Sequence, residues 1–594
     1  MPLCTIDDFE REVLILDEED VDSNAESDAP YAAAADRGRR CGIFVFYQND
    51  VDGLCALFIL EHHKRLSYGL RLTSYPVVCE ADIYSYIKKN ISIRASYPDV
   101  DHEGYLRVVL LGIHGWDPQV LYAVKIHFSQ QLPEERRNDL KICVVPATRP
   151  LHFFNVSFEA DWYFFVANDQ EVELEKANKE RQIAGGIYVP NSVAAIIASV
   201  TQTIHEASRA AILYASAVAV ISRMEHSGTT DATFNSQITK IFQEISVLDG
   251  GPYIQYDADR ATLPLVSFMS MEEALKVSPY VFMHDPMRKK DTLAQLRIRC
   301  NLLMEEFTSE FCNLDPKRQS QVLRQVNGHI KRIDRSQLLW LRRTSAMPCV
   351  DMIYILIAIS VGWLNKENAP TADTAPIIAS DFMYNTLSDR MSQESFYDKV
   401  IMTQLTLKAS QLLRATYDMI AALSIKSRVF GVHKVLFTTL YPKHVVEHIN
   451  ELRLIGFLVS SVHARGNPAD GLCRVLLFVR NPNVVGTAAF GYSPEVTAEF
   501  PDIWALVFRA LANDDPSYVY DLFRPTCVEV RSDDLETAKR KIAKFLRIAL
   551  EGNLVSYLAE SDEDSFVGTD DDYENGEEYE EVEEATEEEG DGSE

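Results

Sequence analysis

A chain of 594 residues, 47% of them hydrophobic, is too long for one core and carries enough apolar surface for several, which excludes an intrinsically disordered protein. Ten cysteines without a single C-x-x-C pair argue against a zinc ribbon or a disulfide framework, and no uncharged apolar run reaches the roughly 20 residues of a membrane span, so a soluble intracellular chain is expected. The net charge of -30 is concentrated: nineteen Asp and Glu and no Lys or Arg lie from Glu560 to Glu594, leaving -11 for everything else.

In chain order, "PLCTIDDFEREVLILDEED" at the N-terminus is neither a secretory signal nor an Arg-rich transit peptide, and the acidic run at 16–30 reads as a spacer. "CGIFVFY" (41–47) is a buried-strand pattern, and "GLCALFILEHHKRL" from Gly53 has helical spacing. Further strands are expected at 70–78, 105–113, 140–147 and 161–169, with helices such as "EADIYSYIKKN" between them, which is the alternation of an α/β domain with a largely parallel sheet. From about 191 the chain becomes Ala-rich and helical, and helices dominate to about 425; within them "MIYILIAISVGWL" (352–364) reads as core. Strand character returns in "VFGVHKVLFTTL", "LIGFLVSSVHA", "CRVLLFVRNP" and "TCVEVRS", with helices in "EFPDIWALVFRALAND" and after Ser532, whose following acids suit a helix N-terminus.

The expected organisation is an N-terminal helix and acidic linker (1–40), an α/β domain (41–275), a helical region (276–424), a smaller α/β domain (425–558) and an acidic, self-repelling tail (559–594) that cannot bury enough surface to order itself.

"FVFYQNDVDGLCALFIL" (44–60) carries the chemistry-bearing candidates, because Asp50 and Asp52 follow a strand at the end where open α/β sheets bind ligands. Two carboxylates can hold a hard cation, but a two-metal site needs more ligands from neighbouring strand ends. After "RVVLL" the chain offers Gly112, Ile113, His114 and Gly115, and after "LKICVV" Pro146, Ala147, Thr148, Arg149 and Pro150. Neither stretch supplies a carboxylate, and His114 alone reads as a structural histidine.

"NDVDGLCALFIL" is similar to the first motif of the DHH phosphoesterase superfamily, which includes RecJ-type exonucleases. "DDFEREV", "TRPLHFFNV" (148–156) and above all "QLLRATYDMIAAL" (411–423) resemble segments of the cell division control protein 45 family, an enzymatically silent relative of RecJ. That resemblance spans much of the chain and implies an N-terminal DHH/RecJ-like domain and a DHHA1-like C-terminal domain. It implies a degenerate metal site with Asp50 and Asp52 as remnants, no metal or other cofactor, and a nuclear protein. The implied role is a non-catalytic scaffold of the replicative CMG helicase, built with the MCM hexamer and the GINS complex. Contacts to the replicative polymerase, to origin-firing factors and, in the assembled complex, to single-stranded DNA belong to the same expectation. The chain departs from the family in lacking its acidic insertion in the first domain and in reading "ATRP" where the family has an aspartate and a histidine.

Between Asp285 and Arg343 thirteen Lys and Arg face seven Asp and Glu. Arg288, Lys289, Lys290, Arg297, Arg299, Lys331 and Arg332 are the candidate nucleic-acid or partner contacts, although Lys290, Arg297 and Arg299 cannot share one helical stripe. Two other functions compete: a manganese-dependent DHH-type exonuclease or phosphoesterase using Asp50 and Asp52, and an interaction protein whose acidic tail holds basic partners such as histones.

Overall fold

A computed structural model describes residues 3–4, 42–61, 71–89, 106–113, 118–145, 150–151, 163–166, 187–188, 192–200, 206–225, 232–247, 254–256, 263–284, 290–329, 339–341, 348–364, 396–430, 433–467 without 444 and 447, 471–494 without 483–485, 503–520, 526–531 and 535–551. The expected N-terminal helix, the acidic linker, the cap at Ser532 and the tail lie outside these residues.

Strands β1 (Leu3–Cys4), β2 (Gly42–Gln48), β3 (Arg71–Val77), β4 (Leu106–Leu111), β5 (Lys141–Val145) and β6 (Tyr163–Val166) form one sheet in the order β1-β6-β5-β4-β2-β3. Every pairing is parallel. All of β2 is buried, as its unbroken apolar run requires in a sheet covered on both faces. The period of two sends Val45, Tyr47, Val109, Leu111 and Cys143 to one side, where α1 (Val51–Glu61), α4 (Val193–Val200) and α5 (Glu206–Glu225) pack. Phe44, Phe46, Val108, Leu110 and Val144 face the other side, under α2 (Glu80–Lys88) and α3 (Pro118–Ser129). Burying each such aromatic or branched side chain stabilises the sheet by about 1.5–3 kcal/mol. The chain first steps from β2 to β3 and then returns to the opposite side of β2 for β4, so the strand order reverses between β2 and β4.

Beyond α5 come α6 (Ala232–Val247), α7 (Met271–Val277), α8 (Pro279–His284), α9 (Lys290–Arg299), α10 (Pro316–His329), α11 (Cys349–Leu364) and α12 (Phe396–Ala421). The apolar segment expected to be core is α11, which packs between α5 and α12. The family-like "QLLRATYDMIAAL" segment lies at the end of α12 and locks the helices together. Leu413, Tyr417 and Ile420 share its buried face, the Tyr417 hydroxyl donates to the Val277 carbonyl at 2.7 Å, and its ring stacks on Phe282 at 4.4 Å. On its outer side Arg414 pairs with Glu273.

The C-terminal domain holds β7 (Lys426–Phe430), β8 (His433–Leu440), α13 (Ile449–Gly466), β9 (Arg474–Val479), β10 (Thr487–Tyr492), α14 (Ile503–Asp514), β11 (Tyr518–Tyr520), β12 (Cys527–Val530) and α15 (Leu535–Leu550). Its sheet runs β7-β8-β9-β10-β12-β11 and only β8 and β9 are parallel, joined through α13. "LIGFLVSSVHA", expected as a strand, lies within α13. Its apolar residues Leu454, Ile455, Leu458 and Val459 fall at helical spacing, and Leu452 one turn before belongs to the same buried face. "VFGVHKVLFTTL", read as one strand, is divided into the antiparallel pair β7 and β8. β10 and β11 were not expected. One continuous core joins α1, α5, α11 and α12 to α13, so the α/β domains share packing through the helices. Among the described residues no helix is long and apolar enough to cross a membrane.

Candidate functional site

The site lies at the carboxyl end of β2, beside the reversal in strand order. After Gln48 the chain turns at once: the Asn49 N–H donates to the Val77 carbonyl at 2.9 Å, and the Asp50 N–H to the Gln48 carbonyl at 2.8 Å. Asp50 is the N-cap of α1, its Oδ1 accepting the Gly53 N–H at 2.7 Å while its carbonyl accepts the first helical bond from Leu54 at 3.0 Å. Gly53 is required sterically, because a Cβ there would lie 2.1 Å from the Gln48 carbonyl oxygen.

Asp52 points away from α1 and binds a different helix. Its Oδ1 accepts the Ser192 hydroxyl at 2.7 Å and the Ala194 N–H at 3.0 Å, and its Oδ2 accepts the Val193 N–H at 3.0 Å. These are unsatisfied donors of the first turn of α4, where a negative charge also complements the helix dipole. Arg223, in the last turn of α5, donates to the same Oδ2 from Nε at 2.9 Å and from Nη2 at 2.6 Å. The ion pair is almost sealed from solvent, with side-chain exposures of 8% for Arg223 and 3% for Asp52. Five hydrogen bonds thus converge on one carboxylate. Burial pushes the Asp50 carboxyl above its usual range; the Arg223 guanidinium pulls it back and the Asp52 charge adds to the rise.

The described residues after β4 supply no side-chain ligand for a cation. After β4, Gly112 takes a left-handed φ of 70°, its Cα side turned toward the Gln48 side chain, and Ile113 is buried in the core. His114 and residues 146–149 lie outside the described residues. A divalent ion would need Asp50 and Asp52 with free lone pairs facing one point, and the donors of α4 and Arg223 already engage both oxygens of Asp52. Among the described residues, no group of three or more His, Cys, Asp and Glu is placed to hold a metal ion.

The C-terminal domain closes over this edge. His448 caps α13 by accepting the Asn450 N–H on Nδ1 at 3.3 Å, and its Nε2–H donates to the Asn49 carbonyl at 2.6 Å. Burial, first, and the Arg453 charge hold the imidazole down to about 4 against the opposing pull of the Asn49 bond, so the ring is neutral at neutral pH. A narrow cleft between the domains is lined by Gln48, Asn49, Val77, Val78, His448 and Ile449.

The basic candidates do not assemble at this site. Arg288, Lys289, Lys331 and Arg332 lie outside the described residues. Lys290 opens α9, Arg297 is half-buried, and Arg299 is exposed two residues on, so the last two diverge around the helix as their spacing required. Sequence reasoning placed Asp50 and Asp52 but missed Ser192, Arg223 and His448. Ser192 before an apolar helix is a legible cap signal, and Arg223 is a lone cation after "AAILYASAVAVIS"; nothing local ties either to a residue some 140 or 171 positions earlier.

No family model matches the sequence, and no curated protein matches it. Solved structures do. The chain has the fold of CDC45 from Entamoeba histolytica. The superposition has a TM-score of 0.57 at 12% sequence identity, covering 92% of this chain and 99% of the Entamoeba protein. RecJ from Thermus thermophilus in complex with Mn2+ matches at 9% identity over 89% of this chain and 54% of that one, with a TM-score of 0.35, a likeness too slight to carry an argument. The fold that the sequence motifs led one to expect is the observed one.

Proposed function

We propose that this protein is a non-catalytic scaffold of the cell division control protein 45 type, acting in chromosomal DNA replication in the nucleus. In this reading it braces the MCM ring together with GINS in the replicative helicase. The fold shared with CDC45 from Entamoeba histolytica supports the assignment to a replication factor. The observation that supports the non-catalytic part is the engagement of Asp52, whose two oxygens accept from α4 and Arg223, an arrangement that suits a structural carboxylate better than a ligand shared by a pair of cations. Asp50 is likewise used, as the cap of α1. Side chains of a type that suits a metal site here hold two helices and a sheet edge in register.

The test is co-purification. An affinity-tagged full chain, expressed at its native level, should retain MCM and GINS subunits through washing in moderate salt. Recovery without either would refute the helicase role, whatever the outcome of nuclease assays on the isolated protein.

A further inference from the structure

The last helix of the C-terminal domain, α15, contains Lys539, Arg540, Lys541, Lys544 and Arg547 against Glu536 alone, with Glu551 just beyond its end. Its apolar side, Ala538, Ile542, Phe545 and Leu546, is buried in the domain core. Two of the cations are used on the flanks: Lys539 pairs with Glu536 and lies over the Phe478 ring, and Lys541 pairs with Asp515 at 2.5 Å. The remaining three, Arg540, Lys544 and Arg547, are exposed and recur at spacings of four and three, which places them on one outward stripe. Arg547 has a surface pair with Glu551, whereas neither Arg540 nor Lys544 has an anionic partner among the described residues. The Glu536 carboxyl at the start of α15 is held below its usual range, first by the Lys539 hydrogen bond, with the charges of Lys539, Arg428 and Lys426 acting in the same direction.

We propose that the acidic segment 560–594 of the same chain docks on this stripe and shields it from other polyanions. Charge complementarity selects the occupant, since the segment carries nineteen acids and no base. Tether length permits it. Nine residue steps lead from Glu551 to Glu560 and can span about 30 Å when extended, whereas Arg540 lies only about 15 Å back along the helix from Leu550. The tether also keeps the segment at an effective concentration of the order of millimolar, enough for individually weak exposed pairs to hold it. Because the contacts are exposed, the interaction is steeply salt-dependent and adds almost nothing to the stability of the body.

The probe is a fluorescein-labelled peptide of residues 560–594, titrated by anisotropy at low and at physiological salt. The chain truncated after Ala559 should bind it, and the full chain should bind it at least about tenfold more weakly because its own tail occupies the stripe. A full chain with every Asp and Glu of 560–594 changed to Asn or Gln should regain binding. In the truncated chain, R540E/K544E/R547E should weaken the peptide at least about tenfold. Lys544→Glu alone should fall between, which keeps the test intact if the triple variant folds poorly. Equal binding by full and truncated chains, or binding indifferent to the reversals, would overturn the proposal. So would a labelled oligothymidylate that binds through these three residues equally well with and without the tail, since the stripe would then be an open nucleic-acid surface.

Discussion

The carboxyl edge of the first sheet and the outer face of α15 both gather charge and dispose of it in opposite ways. At the first edge Asp50 and Asp52 are buried, and each is matched by donors of fixed geometry: the Gly53 N–H for one, and Ser192, Val193, Ala194 and Arg223 for the other. On α15 Lys539, Lys541 and Arg547 have carboxylate partners at the surface, while Arg540 and Lys544 are exposed with no anionic partner among the described residues. A buried charge must be satisfied by the fold itself because its desolvation costs several kcal/mol, whereas an exposed one is left available to something outside it. A motif that looks catalytic can therefore be structural, and a helix with no motif can be the surface that binds.

The contrast is broken most sharply by removing one partner at the buried edge. Arg223→Met leaves the Asp52 charge sealed and uncompensated, and should destabilise the chain by about 3–5 kcal/mol in denaturant unfolding. Adding Asp52→Asn to it should recover part of that loss. A change below about 1 kcal/mol for Arg223→Met, the range of an exposed pair, would mean that water reaches the pair and that the edge resembles α15 after all.

His448 gives the next largest effect. Its folded pKa lies below the unfolded value, so its contribution is present above about pH 6.5 and is lost as pH falls through the folded value of about 4. Over that window the loss amounts to about 3 kcal/mol. His448→Gln should flatten the acid limb of the stability profile between those pH values while lowering stability at pH 7. An unchanged limb would show that the imidazole is not held neutral against Asn49.

Asp50→Ala, which removes the cap of α1 together with a buried carboxyl already raised by burial, should cost about 1 kcal/mol, distinctly less than the loss of Arg223. At the far end of the scale, Arg540→Ala on α15 should leave the melting temperature unchanged within error. A clear drop would place Arg540 in a structural network rather than on a binding surface.

Much of this was legible in the chain. Strands of a parallel sheet covered on both faces read as unbroken apolar runs, so β2, β4 and β5 stood out, and a polar turn before an apolar helix marked the place of Asp50 and Asp52. α13 was misread because "LIGFLVSSVHA" is short, apolar and partly β-branched, and in such a run the strand and helix patterns coincide; the preceding turn, with Leu452 on the same face, separates them. β10 was invisible for a different reason. Ala488, Ala489 and Gly491 have poor strand propensity, and the glycine is there because the Trp504 ring packs where a side chain at 491 would be. The partners of Asp52 were illegible because long-range pairing leaves no periodic trace.

The central claim, that Asp50 and Asp52 are structural, is tested most directly by isothermal titration of Mn2+ into the full chain stripped of metal, with Asp52→Ala alongside. Acidic segments bind divalent ions weakly and alike in both proteins, so the account predicts superimposable isotherms and no metal-dependent cleavage of single-stranded DNA by either. A saturable site present in the unmodified chain, absent in Asp52→Ala and accompanied by turnover would contradict it.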